Sequence, residues 1–382
     1  MRYLVVAPQI GFDLSGGIIP GGLLQFSRCV VRAIASSPSI EKLGIWTQMD
    51  PHNTEPMIER MLRVYAHPDL ELDIRSFGGS RTQLTSAVAL VCFKRAYDRV
   101  MYLLVNQAVI TALPWHPSYL LWQIGWELFQ NLPWWKYRAL SHADSILSIS
   151  RSTTEIAKHY NPGLPEARVV HLCVEPPLFG PESLEDPLTK VTYDPISRDK
   201  AVLIVANLHR KYLYKGHQHL IAAWASVIKL CPDAELWIVG DGDGRPELEE
   251  QRRNLPQQVA KQILFLGQLD ETSLNHCYQR CRVFAMPSNG EGFGLVFIEA
   301  ARYGVPCIGG KYDSVREIVL HNETGLLVEQ HPYDIALACL KLLTDDELAK
   351  RFGEAGRQRY LTNFRFPHFR ERLLCTLGLE LN

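Results

Sequence analysis

No stretch of this 382-residue chain approaches the roughly 18 uninterrupted apolar residues of a membrane-spanning helix, so no transmembrane segment is expected. Neither sign of charge is in excess. The chain has 40 Lys and Arg against 41 Asp and Glu, a formal net charge of −1. That leaves no basic stripe of the kind that grips nucleic acid, and no nucleic-acid partner is expected. The nine cysteines contain no CxxC pair and no Cys/His metal spacing; only Cys277 and Cys281 are close, at i and i+4. They read as single buried thiols in a reducing compartment. Internal repeats and low-complexity tracts are also lacking. The opening Met1-Arg2-Tyr3-Leu4-Val5-Val6-Ala7-Pro8 is too short in apolar length for a signal peptide and reads as a first strand, so cytoplasmic is the default.

What is present is an ordinary globular composition, 47% hydrophobic and 21% charged, with ample material for sizeable cores. The length suggests two to three domains at about 150 residues each. Tyr3 to Ala7 predicts a buried strand, followed by Ser15-Gly16-Gly17-Ile18-Ile19-Pro20-Gly21-Gly22 and a helical pattern from Leu23 to Ala35. A loop so rich in glycine lets backbone approach a ligand closely, and reads equally well as a flexible turn. Further strands are expected at 43–48, 70–76, 100–105, 119–124, 145–150 and 168–173, with helical patterns between several of them. The stretch from Glu175 to Asp194 holds four prolines and little periodicity, and reads as a linker. A second series begins at Ala201–Ala206 and continues through strands at 234–239, 263–267, 283–286, 305–308 and 325–328. Strands alternating with helices predict parallel sheets covered on both faces, and two such series predict two Rossmann-like βαβ domains facing across a deep cleft.

The second half is organised around Pro287-Ser288-Asn289-Gly290-Glu291-Gly292-Phe293-Gly294-Leu295-Val296-Phe297-Ile298-Glu299. The order is strand, glycine loop, helix, which points backbone N–H groups and a positive helix end at a phosphate site. Glu291 and Glu299 bracket it. Earlier, the basic loop Asn207-Leu208-His209-Arg210-Lys211-Tyr212-Leu213-Tyr214-Lys215-Gly216 follows a first strand, the carboxyl edge where α/β sheets bind ligands. Arg210 and Lys215 are candidates to neutralise a diphosphate there. In the first half, His116 and His142 are candidate bases, each also readable as structural. The aromatic and basic Leu132–Arg138 segment reads as a partly buried helix start or as a surface resting on a membrane.

Four segments in fixed order resemble glycosyltransferase family 4, the GT-B fold of retaining, nucleotide-sugar-dependent transferases. Tyr214-Lys215-Gly216-His217 resembles its diphosphate loop and Leu236–Gly244 its strand and glycine turn. Glu291-Gly292-Phe293-Gly294 through Glu299 resembles its pair of glutamates separated by seven residues. Glu317-Ile318-Val319 with Thr324–Val328 resembles the segment that follows. Gly21-Gly22 and Ala143–Ser150 match a weaker N-terminal pattern. The resemblance covers nearly the whole chain and is most specific over residues 200–330.

The resemblance implies an acceptor-binding domain over 1–180, a donor-binding domain over 181–362, and a C-terminal helix over 363–382 packing back toward the first domain. Lys215 would hold the diphosphate leaving group. Glu291 would contact the donor sugar, with Gly292, Phe293, Gly294 and Leu295 supplying N–H groups to sugar and phosphates. Glu299 would grip the ribose hydroxyls, Gly267 would border the nucleobase, and Gly21 and Gly22 would close over the phosphates. Two positions depart from the family pattern. Asn207 stands where the family has an arginine, with Arg210 or Lys211 as replacements, and Ile124 stands where it has a histidine, with His116 as the candidate to compensate. No metal is implied. Asp241-Gly242-Asp243 lies where the family places none, and no cofactor is implied beyond the NDP-sugar donor.

The implied activity is transfer of a sugar, metal-independent and retaining, to a glycan, lipid-linked or small-molecule acceptor hydroxyl in polysaccharide biosynthesis. Peripheral contact at the inner face of a membrane belongs to the same expectation, while the oligomeric state is open. The alternative is a catalytically silent GT-B protein that binds nucleotide or serves as a partner subunit. An epimerase or a glycan phosphorylase on the same architecture ranks last, for want of a pyridoxal-phosphate lysine motif.

Overall fold

The computed structural model describes residues 1–13, 19, 21–112, 116–175, 194 and 197–381. The chain divides into two compact units, Met1–Leu184 with Asn363–Asn382, and Glu185–Thr362. Most of the proline-rich stretch, residues 176–193, lies outside the described residues, as do Ser15–Ile18 of the first glycine loop.

The first unit contains β1 (Arg2–Ala7), α1 (Gly22–Ala35), β2 (Lys42–Thr47), α2 (Glu55–Arg63), β3 (Glu71–Ser76), α3 (Arg81–Phe93), β4 (Arg99–Tyr102), β5 (Ser118–Gln123), α4 (Trp134–Ser141), β6 (Ser145–Ser148), α5 (Arg151–Tyr160) and β7 (Ala167–Val169). Its seven strands are ordered β3-β2-β1-β4-β5-β6-β7, and every pairing is parallel. Strands covered on both faces need apolar side chains on both, and Tyr3 to Ala7 of β1 is buried at every position. The expected strand over 100–105 stops at Tyr102, because Val105–Gln107 turns into a 3-10 helix. Helix starts follow local chemistry: Ser80 accepts a hydrogen bond from the Gln83 N–H and Ser150 from the Thr153 N–H.

The second unit contains β8 (Asp199–Val205), α6 (His217–Leu230), β9 (Glu235–Val239), α7 (Arg245–Arg253), α8 (Gln257–Ala260), β10 (Ile263–Gly267), α9 (Glu271–Arg280), β11 (Cys281–Met286), α10 (Leu295–Arg302), β12 (Cys307–Gly310), β13 (Gly325–Val328), α11 (Pro332–Thr344) and α12 (Asp346–Asn363). Its six parallel strands are ordered β10-β9-β8-β11-β12-β13. Relabelled from its own first strand, that order is 3-2-1-4-5-6, the Rossmann arrangement. The closing helix α13 (Phe366–Leu377) packs on α1 of the first unit. Arg370 Nε donates to Ser36 Oγ at 2.6 Å, and Phe366 meets the Tyr65 ring edge-on at 5.1 Å.

A buried charge cluster holds the first unit's glycine loop at its start. Arg28 donates from Nε and Nη2 to the two Glu175 oxygens, at 2.6 and 2.8 Å, and from Nη1 to the Ile10 carbonyl at 2.9 Å. The Asp50 carboxylate accepts from the N–H groups of Ile10 and Gly11, at 2.7 and 2.8 Å. Eight of the nine cysteines are buried free thiols; the exception to the expectation is Cys375, exposed on α13. Removing one partner of a buried pair leaves the other charge unpaired. Glu175→Ala should therefore lower stability by about 3–5 kcal/mol, read as a fall in the denaturation midpoint; an unchanged midpoint would refute the assigned role.

Candidate functional site

In a sheet of this order the ligand crevice opens where the strand order reverses, outside the carboxyl ends of β8 and β11. Two loops leave those ends. The β8 loop runs to Lys215 and Gly216, and the β11 loop from Pro287 to Gly294. They are bound together by backbone. The Asn289 N–H donates to the Tyr214 carbonyl at 3.0 Å, and Gln330 Nε2 donates to the carbonyls of Tyr214 and Pro287, at 2.7 and 2.9 Å. Gly216 is required at this junction. It adopts φ +93°, and a Cβ there would sit 2.6 Å from the Pro287 carbonyl oxygen.

Asp313 pins the β11 loop from below. Its carboxylate accepts from Ser288 Oγ at 2.6 Å, from the N–H groups of Glu291 and Gly290 at 2.9 and 3.3 Å, and from Val315 N–H at 3.1 Å. Ser314 Oγ then donates to the Glu291 carbonyl at 2.6 Å, so the backbone of Glu291 is clamped on both sides. Burial raises the pKa of the Asp313 carboxyl, outweighing the hydrogen bonds from Ser288 and Glu291 that work the other way. The sequence reading missed Asp313. Its signal was an Asp-Ser pair opening a turn, since Asp313 also caps the 3-10 turn Ser314–Glu317.

On this frame Lys215 Nζ and Glu291 Oε2 meet at 2.6 Å, with side chains only 17% and 14% exposed. Burial alone would lower the Lys215 pKa. The attraction of Glu291, then of Tyr214, overcomes it, and the net shift is upward. The Tyr214 phenol is itself pushed up to about 12, chiefly by burial. Beside the pair, α10 begins at Gly294 in the left-handed region, φ +96°, with no side-chain cap. Gly294 is thus the cap of α10, and Leu295 its first helical residue. α6 likewise begins after left-handed Gly216 without a side-chain cap. Helix starts without a capping side chain leave N–H groups for another acceptor. Glu299, half-buried on α10, accepts from the Tyr278 hydroxyl at 3.0 Å, which supplies the partner its apolar surroundings demand.

Lys215, Glu291, Gly292, Phe293, Gly294 and Leu295 thus stand together at the strand-switch edge, with Glu299 farther along α10. Asn207 and Arg210 come from the same β8 loop but are committed elsewhere. Asn207 Oδ1 accepts from the His209 N–H at 2.8 Å, and Arg210 Nε pairs with Glu247 at 2.7 Å. Gly267 ends β10 with φ +70° and accepts from the Gly240 N–H at 2.8 Å. The glycines of the Val239-Gly240-Asp241-Gly242 turn have a packing reason, because a side chain at Gly240 or Gly242 would collide with the backbone of Ala206 or of Leu208 and His209.

In the first unit, Gly21 caps α1 with φ 150° and Gly22 is the helix's first residue. Both His116 nitrogens are engaged, Nε2 with the Tyr102 hydroxyl and Nδ1 with the Pro117 carbonyl, each at 2.7 Å. Burial lowers its pKa. A neutral ring whose Nδ1–H serves the Pro117 carbonyl has its Nε2 lone pair occupied by Tyr102, which disfavours His116 as a base. His142 is exposed and bonded to the Arg138 carbonyl. Glu127, which the sequence reading did not single out, is buried, with Oε1 against the Val105 N–H at 3.5 Å, and burial pushes its carboxyl up to about 7.

Comparison with solved structures defines the class first. The whole chain superposes on Anabaena HepE in complex with UDP and glucose, with a TM-score of 0.71, 16% identity and 99% of each chain covered. It also matches sucrose-phosphate synthase of Thermosynechococcus elongatus, with a TM-score of 0.70 at 19% identity over 99% of this chain and 98% of that one. The fold is therefore GT-B, two Rossmann-like units with the final helix returned to the first. Within that class, residues 194–359 match the family model "Glycosyl transferases group 1". A GDP-mannose-dependent monoacylated alpha-(1-6)-phosphatidylinositol monomannoside mannosyltransferase of Corynebacterium glutamicum is 28% identical over 68% of this chain and 68% of its own length. N-acetyl-alpha-D-glucosaminyl L-malate synthase of Bacillus anthracis is 32% identical over 44% of this chain, and the match spans only 43% of that protein.

His217, the first residue of α6, is fully buried, and neither ring nitrogen has a hydrogen-bond partner among the described residues. Burial, then the charge of Lys215, pushes its pKa down to about 3. With the folded value below the unfolded one, its stabilising share is complete above about pH 6.5 and is lost as pH falls toward 3. His217→Leu should accordingly flatten the loss of stability between pH 7 and pH 4 in urea titrations; an unchanged pH slope would overturn this. Asp313→Asn should lower the stability of the second unit by about 1–3 kcal/mol, since an amide turns a donor toward N–H groups. A denaturation midpoint equal to the parent's would contradict the clamp.

Proposed function

We propose that the chain is a retaining glycosyltransferase that moves a sugar from a nucleoside-diphosphate sugar to an acceptor hydroxyl, as a member of glycosyltransferase family 4. One observation carries this reading: a half-buried Lys215–Glu291 pair beside α10, whose start has no capping side chain, at the strand-switch edge of a Rossmann-like sheet. Lys215 and the N–H groups of the α10 start take the diphosphate, Glu291 takes donor-sugar hydroxyls, and Glu299 takes the ribose. The group 1 family match over this unit, and the UDP named in the HepE structure, support a nucleotide donor.

In the proposed step the C1–phosphate bond breaks as the acceptor oxygen bonds C1 from the same face. The acceptor's proton passes to the departing phosphate oxygen, so no strong protein base is needed. Charge develops on the leaving diphosphate, and a preplaced ammonium and helix-start amides stabilise it without reorganising. The reading assigns no metal and no cofactor besides the donor. In support, the Asp241-Gly242-Asp243 carboxylates are already engaged, Asp241 by Arg245 Nη1 at 2.9 Å and Asp243 by His209 and by the Arg210 N–H.

Lys215→Ala should reduce turnover by about 10²–10³-fold and weaken nucleotide binding. Calorimetry with UDP, GDP, ADP and CMP, followed by a panel of NDP-sugars, tests the reading; failure of every nucleotide to bind would sink it. Nucleotide binding without sugar transfer would favour a catalytically silent subunit instead, the reading motivated by the family departures at Asn207 and Ile124.

For the acceptor, glycan, lipid-linked and small-molecule classes all remain within the proposal, and α4 favours a lipid-linked one. Trp134 is 74% exposed there, in a stretch without acidic residues between Glu127 and Asp144. Such a surface suits peripheral contact with an anionic membrane at the cytoplasmic face. Trp134→Ala should reduce cosedimentation with anionic vesicles severalfold, and equal sedimentation of variant and parent would discard membrane contact.

A further inference from the structure

Lys215 already has an anion. Glu291 Oε2 lies 2.6 Å from its Nζ, and both side chains are more than four-fifths shielded from water. Resting on the donor-site reading above, a diphosphate reaching Lys215 must therefore share or displace a carboxylate. The backbone that carries this carboxylate is held in place. The Glu291 N–H is held by Asp313 at 2.9 Å, and its carbonyl takes the Ser314 hydroxyl at 2.6 Å and the Ser314 N–H at 3.4 Å. Rearrangement is left to the side-chain torsions of Glu291 alone. Asp313 offers no relief, because it is a second acid behind the same loop, 1% exposed and wholly committed to donors there.

The displaced carboxylate needs new hydrogen-bond donors or it stays as a half-buried negative charge beside a diphosphate. An intact donor brings them, because its sugar hydroxyls can replace the ammonium that the phosphates have taken. A bare nucleoside diphosphate brings none. Two anions then compete for one ammonium at close range, where shielding from water makes like-charge contact costly.

We propose that Glu291 is a specificity-determining residue that discriminates a sugar-bearing nucleotide from the bare nucleoside diphosphate, by competing for Lys215 whenever no sugar hydroxyl engages its carboxylate. The same competition assists departure of the product once the sugar has been transferred. Glu291 thereby acts on both ends of the cycle: it welcomes the loaded donor and weakens the hold on what remains.

The test is calorimetry with UDP, GDP and ADP on the full chain, comparing the parent with Glu291→Gln and Glu291→Ala. The amide keeps the side-chain volume but removes the negative charge that competes with the diphosphate for the ammonium. For the nucleotide that the parent binds, both variants should bind the bare diphosphate about tenfold more tightly or better, in line with couplings measured for close, shielded charge pairs. Adding Lys215→Ala to the parent and to the Glu291→Gln variant should abolish the difference between them, which a merely structural role for Glu291 would not produce. In turnover assays the product-inhibition constant should fall while kcat falls as well. If parent and variants bind the diphosphate equally, or the variants bind it more weakly, the discrimination is overturned while the donor site stands. If no protein binds any of the three nucleotides, the donor-site reading is overturned and this inference with it.

Discussion

A half-buried ammonium is tolerable only if an anion meets it, and in this protein that need governs the geometry of the second unit's working edge. For Lys215 to reach Glu291 at 2.6 Å, the loops leaving β8 and β11 must touch along their backbones. Touching is possible because Gly216 presents no side chain to the Pro287 carbonyl. The contact is then locked by Asn289 on Tyr214, by Gln330 on both loops and by the fourfold acceptor Asp313. Each of these groups is explained by its service to one pair of charges.

The first unit answers a similar problem with a different outcome. Its own strand-switch edge is held by the Arg28–Glu175 pair and by Asp50, buried charges that meet the backbone of Ile10 and Gly11. There the cluster is closed: two guanidiniums surround one carboxylate, and aromatic rings of Tyr65 and Phe366 cover Arg32. A closed cluster fixes structure. The Lys215–Glu291 pair, one ammonium against one carboxylate with a helix start without a capping side chain alongside, is open to exchange. That contrast separates a scaffold from a site better than burial does, since both sets of charges are largely hidden.

Much of this is legible in the chain alone. Alternating apolar segments and glycine loops foretell two parallel-sheet units, since strands buried on both faces must be apolar on both. The glycine pattern around Glu291 and Lys215-Gly216 marks the loops that meet, because close backbone approach excludes side chains. Segment ends are less legible. The strand expected over 100–105 stops early, since a 3-10 turn decides its end. Asp313 escaped notice because its partners, Ser288 and Glu291, lie more than twenty residues away in the chain. The engagement of His116 by Tyr102 was equally invisible, as it depends on which strand ends neighbour each other.

By itself the sequence determined the class of architecture and the chemical inventory of the donor edge, because period, glycine placement and acid–base composition are local properties. Only tertiary structure decided which of those groups face one another. It joined Lys215 to Glu291 across a gap of 76 residues, turned Asn207 and Arg210 toward their own loop's neighbours, and gave Glu299 its tyrosine. The reason is physical: a charge's partner is chosen by the order of strands in a sheet, and that order is not written in any single stretch of the chain.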